Sequence, residues 1–288
     1  MMSDFVQQQH SVCDFNSSDS WVILSPIEQS IKRKIESVGT PLKDWDIQIN
    51  YGIKTGFNDA FIINSEKRNE ILSNCKTEDE RKRTEELIRP ILRGRDIKRY
   101  GYVNNGLYLI NSHNGVKGKY HRIRIEDYPA IKAHLDHFWD KIEKRADQGD
   151  TPYNLRNCAY LEDFNKQQVV WIELSDDPKF ALADNVTSVN TVFFMTGEHI
   201  LHMLGLLNSK LITWYFRHCI GTTSGVGTNR WLKFTIEQIP MAPACPKLEK
   251  LAQEISNNYN VNKDKEIDFL VCQLYNLNNE EINYILRQ

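Results

Sequence analysis

The order in which patterns change along this chain constrains its fold most. Short strand-like runs recur among helices as far as Met195, and beyond Pro246 only helical periodicity remains. Such an order predicts an α+β fold: a mixed sheet followed by a helical C-terminal segment. The order of the strands cannot be read from the pattern. No internal repeat at a solenoid period is found.

Residues 1–24 carry no periodic pattern and are expected to be a linker or ragged end. A first helix is expected from Ser25-Pro26 to Val38, with Ser25 as N-cap and Ile27, Ile31, Ile35 and Val38 on one face. Strand-like pieces lie near 47–51, 60–63, 107–110, 169–172, 180–183 and 191–195. Helices are expected at 66–74, 77–88 (ended by Arg89-Pro90), 129–145 and 199–216, the last broken near Asn208-Ser209. Residues 221–228 form a glycine, serine and threonine loop, and 239–246 a proline-punctuated turn. Two or three helices are expected at the end, over 246–259, 263–275 and 279–286. The resulting division is 1–24 lead-in, 25–245 one mixed domain and 246–288 a helical segment.

The formal net charge is −2. A chain binding nucleic acid purely by charge would be more basic, so such binding must come from local patches. The six cysteines include no C-x-x-C pair, which excludes the usual zinc spacing and does not resemble a secreted disulfide framework. There is no apolar signal region and no run of membrane-spanning length, so a cytoplasmic protein with no membrane partner is expected.

The most basic stretch is 81–124. Within it, Arg93, Arg95, Lys98 and Arg99 surround Gly94, and arginine forks suit phosphates and guanine edges. The bland alternative is a solvated face with Arg95 paired to Asp96 or a nearby glutamate. Gly52-Ile53-Lys54-Thr55-Gly56-Phe57-Asn58 can offer backbone N–H groups and Lys54 to a phosphate, or be no more than a hairpin turn. In the polar loop 147–157, Asn154, Arg156 and Asn157 have base-reading side chains, and Tyr153 can stack on a base or fill a gap. The same loop also reads as a proline turn with local capping.

No catalytic machinery is found. Adenine methylation needs an Asn/Asp-Pro-Pro-aromatic loop and a glycine-rich cofactor turn, and neither occurs. His113, His121, His134 and His137 lack further ligands at a credible spacing, so they read as surface or core-edge residues. Glu173-Leu174-Ser175 puts a serine where a metal nuclease needs lysine. Catalytic, cofactor and metal residues are therefore expected to be absent from this chain.

Several motifs in fixed order carry a resemblance: Trp45-Asp46-Ile47 to Ile63, Ile88 to Tyr100, Tyr128 to Lys132, Thr151 to Arg156, Gly205 to Leu211 and Ile239-Pro240 before the helical tail. Over roughly 21–288 the chain resembles the TaqI-like C-terminal specificity region of type IIG restriction-modification enzymes and adenine-N6 DNA methyltransferases. The resemblance implies that this region clamps double-stranded DNA and selects the sequence. A separate Rossmann-like domain would hold S-adenosylmethionine and receive the flipped adenine. It implies DNA contacts at Lys54, Thr55, Asn58, Arg93, Arg95, Lys98 and Arg99 to phosphates, and at Tyr153, Asn154, Arg156 and Asn157 nearer base edges. Gly94 and Gly205-Leu206-Leu207-Asn208 are expected to be fold determinants. The chain departs from the family pattern in carrying no methyltransferase domain, so it is expected to be a fragment, an excised domain or a subunit. The alternatives are a module that docks onto a separate methylase through its C-terminal helices, and an enzyme acting alone.

Overall fold

The computed structural model describes residues 24–225 and 227–288. The lead-in expected over 1–24 therefore lies, Leu24 excepted, outside the described residues, as does Cys13. In chain order the helices are α1 (Pro26–Val38), α2 (Asn58–Phe61), α3 (Ser65–Ser73), α4 (Glu78–Leu87), α5 (Pro129–Asp136), α6 (Trp139–Ile142), α7 (Ile200–Asn208), α8 (Lys210–Tyr215), α9 (Lys233–Ile236), α10 (Pro246–Asn257), α11 (Val261–Leu274) and α12 (Asn279–Leu286). The strands are β1 (Thr40–Pro41), β2 (Ile47–Tyr51), β3 (Ile62–Asn64), β4 (Ile88–Leu92), β5 (Leu107–Ile110), β6 (Gln167–Ile172), β7 (Ala181–Asp184), β8 (Thr187–Ser188), β9 (Val192–Gly197), β10 (Thr222–Thr223), β11 (Asn229–Arg230) and β12 (Pro240–Met241). This is an α+β fold. Its residues pack into two compact units that are not consecutive in sequence: one holds 48–173 and 179–200, the other holds the segment ending at Ile47 together with 174–178 and 201–288.

The first unit is built on two four-stranded sheets, ordered β2-β9-β6-β7 and β3-β5-β4-β8. β6 takes an inner place because Val169, Val170 and Trp171 are apolar on both faces, and all three are buried. It pairs antiparallel with β7 and β9. The Phe164 and Phe194 rings, 4.6 Å apart, fill the core beside it. In the second sheet β4 is antiparallel to β5 and parallel to β8. The chain links the sheets directly: β2 ends at Tyr51, and two residues on, Ile53 bridges Val189 in parallel.

The helix expected to end before Arg89-Pro90 does so, at Leu87, but the chain then runs straight into β4, a strand the sequence did not reveal. Pro90 is tolerated because it lies one residue before β8 begins to pair, at Ile91. The helix expected over 129–145 is two short ones, because Phe138 leaves helical geometry and turns its ring toward Phe57 and His134. The strand expected at 60–63 is a helical turn, α2, followed by β3. Charge-rich α4 is held by one buried stripe, Glu80, Thr84 and Leu87. The Glu80 carboxylate accepts from the backbone N–H of Ala130, which caps the start of α5.

In the second unit, α1 opens with a capping box in which Glu28 accepts from the Ser25 backbone and hydroxyl, both at 2.7 Å. The expected break between α7 and α8 is present: the Ser209 hydroxyl accepts from Ile212 N–H and Asp268 accepts from Lys210 N–H. Gly205 faces Leu248 so closely that a Cβ would meet its Cδ1 at 2.7 Å, so this glycine is a packing requirement. Trp231 stacks on Phe216 at 3.9 Å between centroids. In the helical tail Ile255, Ile267, Leu270, Val271 and Leu277 are buried and Leu274 is half-buried.

Candidate nucleic-acid interface

The basic and amide loops singled out in the sequence all belong to the first unit. Register fixes where two of them begin. Ser188 and Val189 run between Leu92 and Ile53: Ile53 N–H donates to Ser188 O (2.7 Å) and Val189 N–H to Leu92 O (3.0 Å). Because all three segments are parallel, β4 and the Ile53 segment end at the same edge. Arg93 and Lys54 thus start their loops there, two strand spacings or ~10 Å apart.

The 147–157 loop is fastened to the Lys54 loop by a residue the sequence did not point to. Arg145 is only 6 % exposed. Its guanidinium donates to the carbonyls of Thr55 (2.6 Å) and Pro152 (3.1 Å), and also to those of Asp147 and Asn154. The plane lies over the Phe61 ring, 4.5 Å from its centroid. Burial pushes its pKa down to about 10, which leaves it charged at neutral pH. Next to it, the Asp147 carboxylate pairs with Lys54 (3.1 Å) and Arg156 (3.4 Å). Gly56, at φ +71°, lets the two backbones meet: a Cβ there would lie 3.2 Å from that of Asp147.

The predicted contacts therefore separate by what their side chains do. Lys54, Asn58, Arg156 and Asn157 are exposed. Thr55 is buried, and its hydroxyl donates to Asn58 Oδ1 at 2.6 Å. Asn154, expected near base edges, is turned inward and only 1 % exposed. Its amide donates to Ile123 O (2.9 Å) and accepts from the Thr151 hydroxyl (2.6 Å), which makes it an organiser of the loop. Tyr153 fills a gap: its ring lies 5.3 Å from that of Trp139 and its hydroxyl donates to Asp136.

In the 93–99 loop the ion pair is not the one weighed from sequence. Asp96, buried, accepts from Arg93 through the backbone (3.0 Å) and Nε (3.3 Å) and from Asn105 Nδ2 (2.7 Å). Arg95 is exposed and has no ion pair among the described residues. Lys98 is exposed and donates to Arg95 O. The Arg99 guanidinium lies 5.1 Å from the Tyr100 centroid. Tyr100 adopts φ +67°, a strained value for a bulky residue, and is fixed by its N–H donating to Phe180 O. Burial opposes ionisation of Asp96, but the hydrogen bonds from Arg93 and Asn105 outweigh it and hold the carboxyl below its usual range. A depressed carboxyl pKa contributes stability above the unfolded value, and that contribution is lost as pH falls through the folded one. Urea midpoints measured from about pH 6 down to about pH 3 should fall more steeply for the wild type than for Asp96→Asn. Parallel profiles would remove the carboxylate from its role.

His134 Nε2 lies 3.0 Å from Ala60 O and His137 Nδ1 2.6 Å from Ala133 O. Among the described residues, no group of three or more histidine, cysteine or acidic side chains is placed to hold a metal ion. Nor is any described helix long and apolar enough to cross a membrane.

A family model described as the TaqI-like C-terminal specificity domain matches residues 89–241, just over half of the chain. No curated protein matches the sequence. Among solved structures, the fold is similar to the type IIL restriction-modification enzyme MmeI, solved in complex with DNA, at TM-score 0.58 and 15% identity over 85% of this chain and 35% of that one. It is also similar to the type IIG restriction endonuclease BpuSI, at TM-score 0.53 and 14% identity over 86% of this chain and 32% of that one. The chain thus spans about a third of the length of these two enzymes.

Proposed function

The chain belongs to the TaqI-like C-terminal specificity domain family, and on that premise we propose that it is the DNA sequence-recognition module of a type IIG-like restriction-modification adenine-N6 methyltransferase. S-adenosylmethionine binding and methyl transfer then fall to a further domain or a separate methyltransferase subunit. The observation that carries the reading is the common sheet edge from which the Lys54 and Arg93 loops leave, with the Arg156 loop locked to the first by Arg145. Cations from loops far apart in sequence come within reach of one polyanion. An overall charge of −2 then does not count against binding, since the phosphates meet a local field.

Roles follow from exposure. Lys54, Arg95, Lys98 and Arg99 suit phosphates. Arg156 and Asn157, exposed just beyond the Gln148–Leu155 bridge that closes the Arg145-held loop, suit base edges. Lys54 and Arg156 meet DNA by exchanging Asp147 for phosphate, at small cost because both pairs are partly exposed.

Selecting bound duplexes from a randomised pool tests the function directly. An enriched motif is expected; retention of no duplex, or of all sequences equally, would overturn the reading. Arg95→Ala is expected to weaken duplex binding about fivefold and to lower the slope of log K against log salt by roughly one unit. Unchanged affinity and slope would take Arg95 out of the interface.

A further inference from the structure

A groove of about 830 Å³ adjoins the contacts described so far, sharing Asn157 with them, and is lined by residues 114–122 with Asp150, Asn157, Cys158 and Ala159. Its wall is a small hairpin. Val116 pairs with Tyr120, and Gly115 (φ +80°) and Gly118 (φ +77°) make the turns. Gly115 is required on a second ground, since a Cβ there would approach Arg122 N to 2.7 Å. The lining carries three cations, Lys117, Lys119 and Arg122, against the single carboxylate of Asp150. Lys117, near the hairpin tip, is exposed and has no ion pair among the described residues. Arg122 pairs with Asp150 at 3.1 Å, and both partners are exposed. Lys119 pairs with Glu162.

Asn114 welds this hairpin to the loop that bears Arg156 and Asn157. Its Nδ2 donates to Asp150 Oδ1 (2.9 Å) and Asn157 Oδ1 (2.6 Å), and its Oδ1 accepts from Asp150 N–H (2.8 Å). The groove is thus a formed, cation-rich channel that shares Asn157 with the base-facing loop.

We propose that this groove holds a sugar–phosphate segment of one strand of the bound duplex, with Lys117 and Arg122 as its phosphate contacts. The proposal rests on the DNA-recognition reading and extends it. The occupant follows from the lining: an open groove with three cations spread along residues 117–122 suits a run of phosphates better than a single compact anion. Arg122 exchanges the exposed Asp150 carboxylate for phosphate, and Lys117 gains a partner. Because such contacts carry no base information, the site adds affinity without choosing sequence.

The test compares the wild type, Lys117→Ala and Lys117→Ala/Arg122→Ala on short duplexes of several unrelated sequences across a salt series. The double variant should bind every duplex about ten- to thirtyfold more weakly at low salt and lose roughly two units of salt slope; the single variant should lose about one. Lys117→Ala removes no intramolecular ion pair, so it keeps the test valid even if loss of the Arg122 pair perturbs the fold, which a thermal melt would reveal. A wild type that binds duplex while Lys117→Ala keeps its affinity and slope overturns the groove alone. A loss restricted to one sequence overturns the sequence-independent role. A wild type that retains no duplex overturns the recognition reading, and the groove with it.

Discussion

Arg145→Ala should lower the melting temperature by roughly 10 °C and remove measurable duplex binding at moderate salt. One guanidinium serves four backbone carbonyls, those of Thr55, Asp147, Pro152 and Asn154. Alanine would leave those carbonyls facing a cavity over Phe61. Truncating one side of such a buried charged network costs about 3–5 kcal/mol. In a chain of this size each kcal/mol corresponds to about 2–4 °C. Arg145→Lys should recover little, since an ammonium cannot reproduce a planar fork with this reach. The functional loss follows because the same bonds join the Lys54 and Arg156 loops. A melting temperature within about 2 °C of the wild type would show that the loops are held by other contacts.

Gly52→Ala should be at least as damaging, through a different cause. Gly52 lies where the chain leaves β2 and approaches Ser188–Val189, and its N–H donates to Val192 O at 2.8 Å. A Cβ there would fall inside the van der Waals shells of the Ser188 and Val189 carbonyl oxygens. Both obstacles are backbone, so no rotamer change relieves them, and the strand must move. The expected cost is about 3 kcal/mol or more, seen as a melting temperature lower by roughly 10 °C or as insoluble protein. Gly225→Ala is the matched control: among the described residues nothing lies within 4 Å of its Cβ position, and its effect should be within ~0.5 kcal/mol. Equal melting temperatures for the two variants would mean that the strand crossing is not tight.

These two residues also mark where sequence reading succeeded and failed. Patterns set by local chemistry were legible. The Ser25-Pro26 start, the Ser209 break, the strand at Leu107–Ile110 and the helix at Asn279–Leu286 all follow from caps and periodicity. Elements set by distant partners were not. β4 hides behind Arg89-Pro90, which ends the helix as its local chemistry dictates, because the strand that follows is set by pairing with β5 and β8. Helix 129–145 breaks because Phe138 is drawn into a contact formed by Phe57. At the candidate interface, residue type revealed where cations and amides lie but not which way they face. Asn154 has the same chemistry as Asn157, yet one is buried and the other exposed. Arg145 carried no signal, since an arginine at a helix end is ordinarily solvated. Gly52, read as part of a phosphate cradle or a hairpin turn, has a steric requirement that the sequence did not show.

The interleaved path of the chain has a consequence for how such modules are traded between relatives. Cuts at 89 and 241, the limits of the family match, would divide both packing units, because 174–178 and 201–288 belong with the segment ending at Ile47. A transplant of target preference therefore has to carry 24–288 as one block, or else replace surface side chains singly on an intact host. Piecewise shuffling of the intervening stretch would break cores before it altered any recognition.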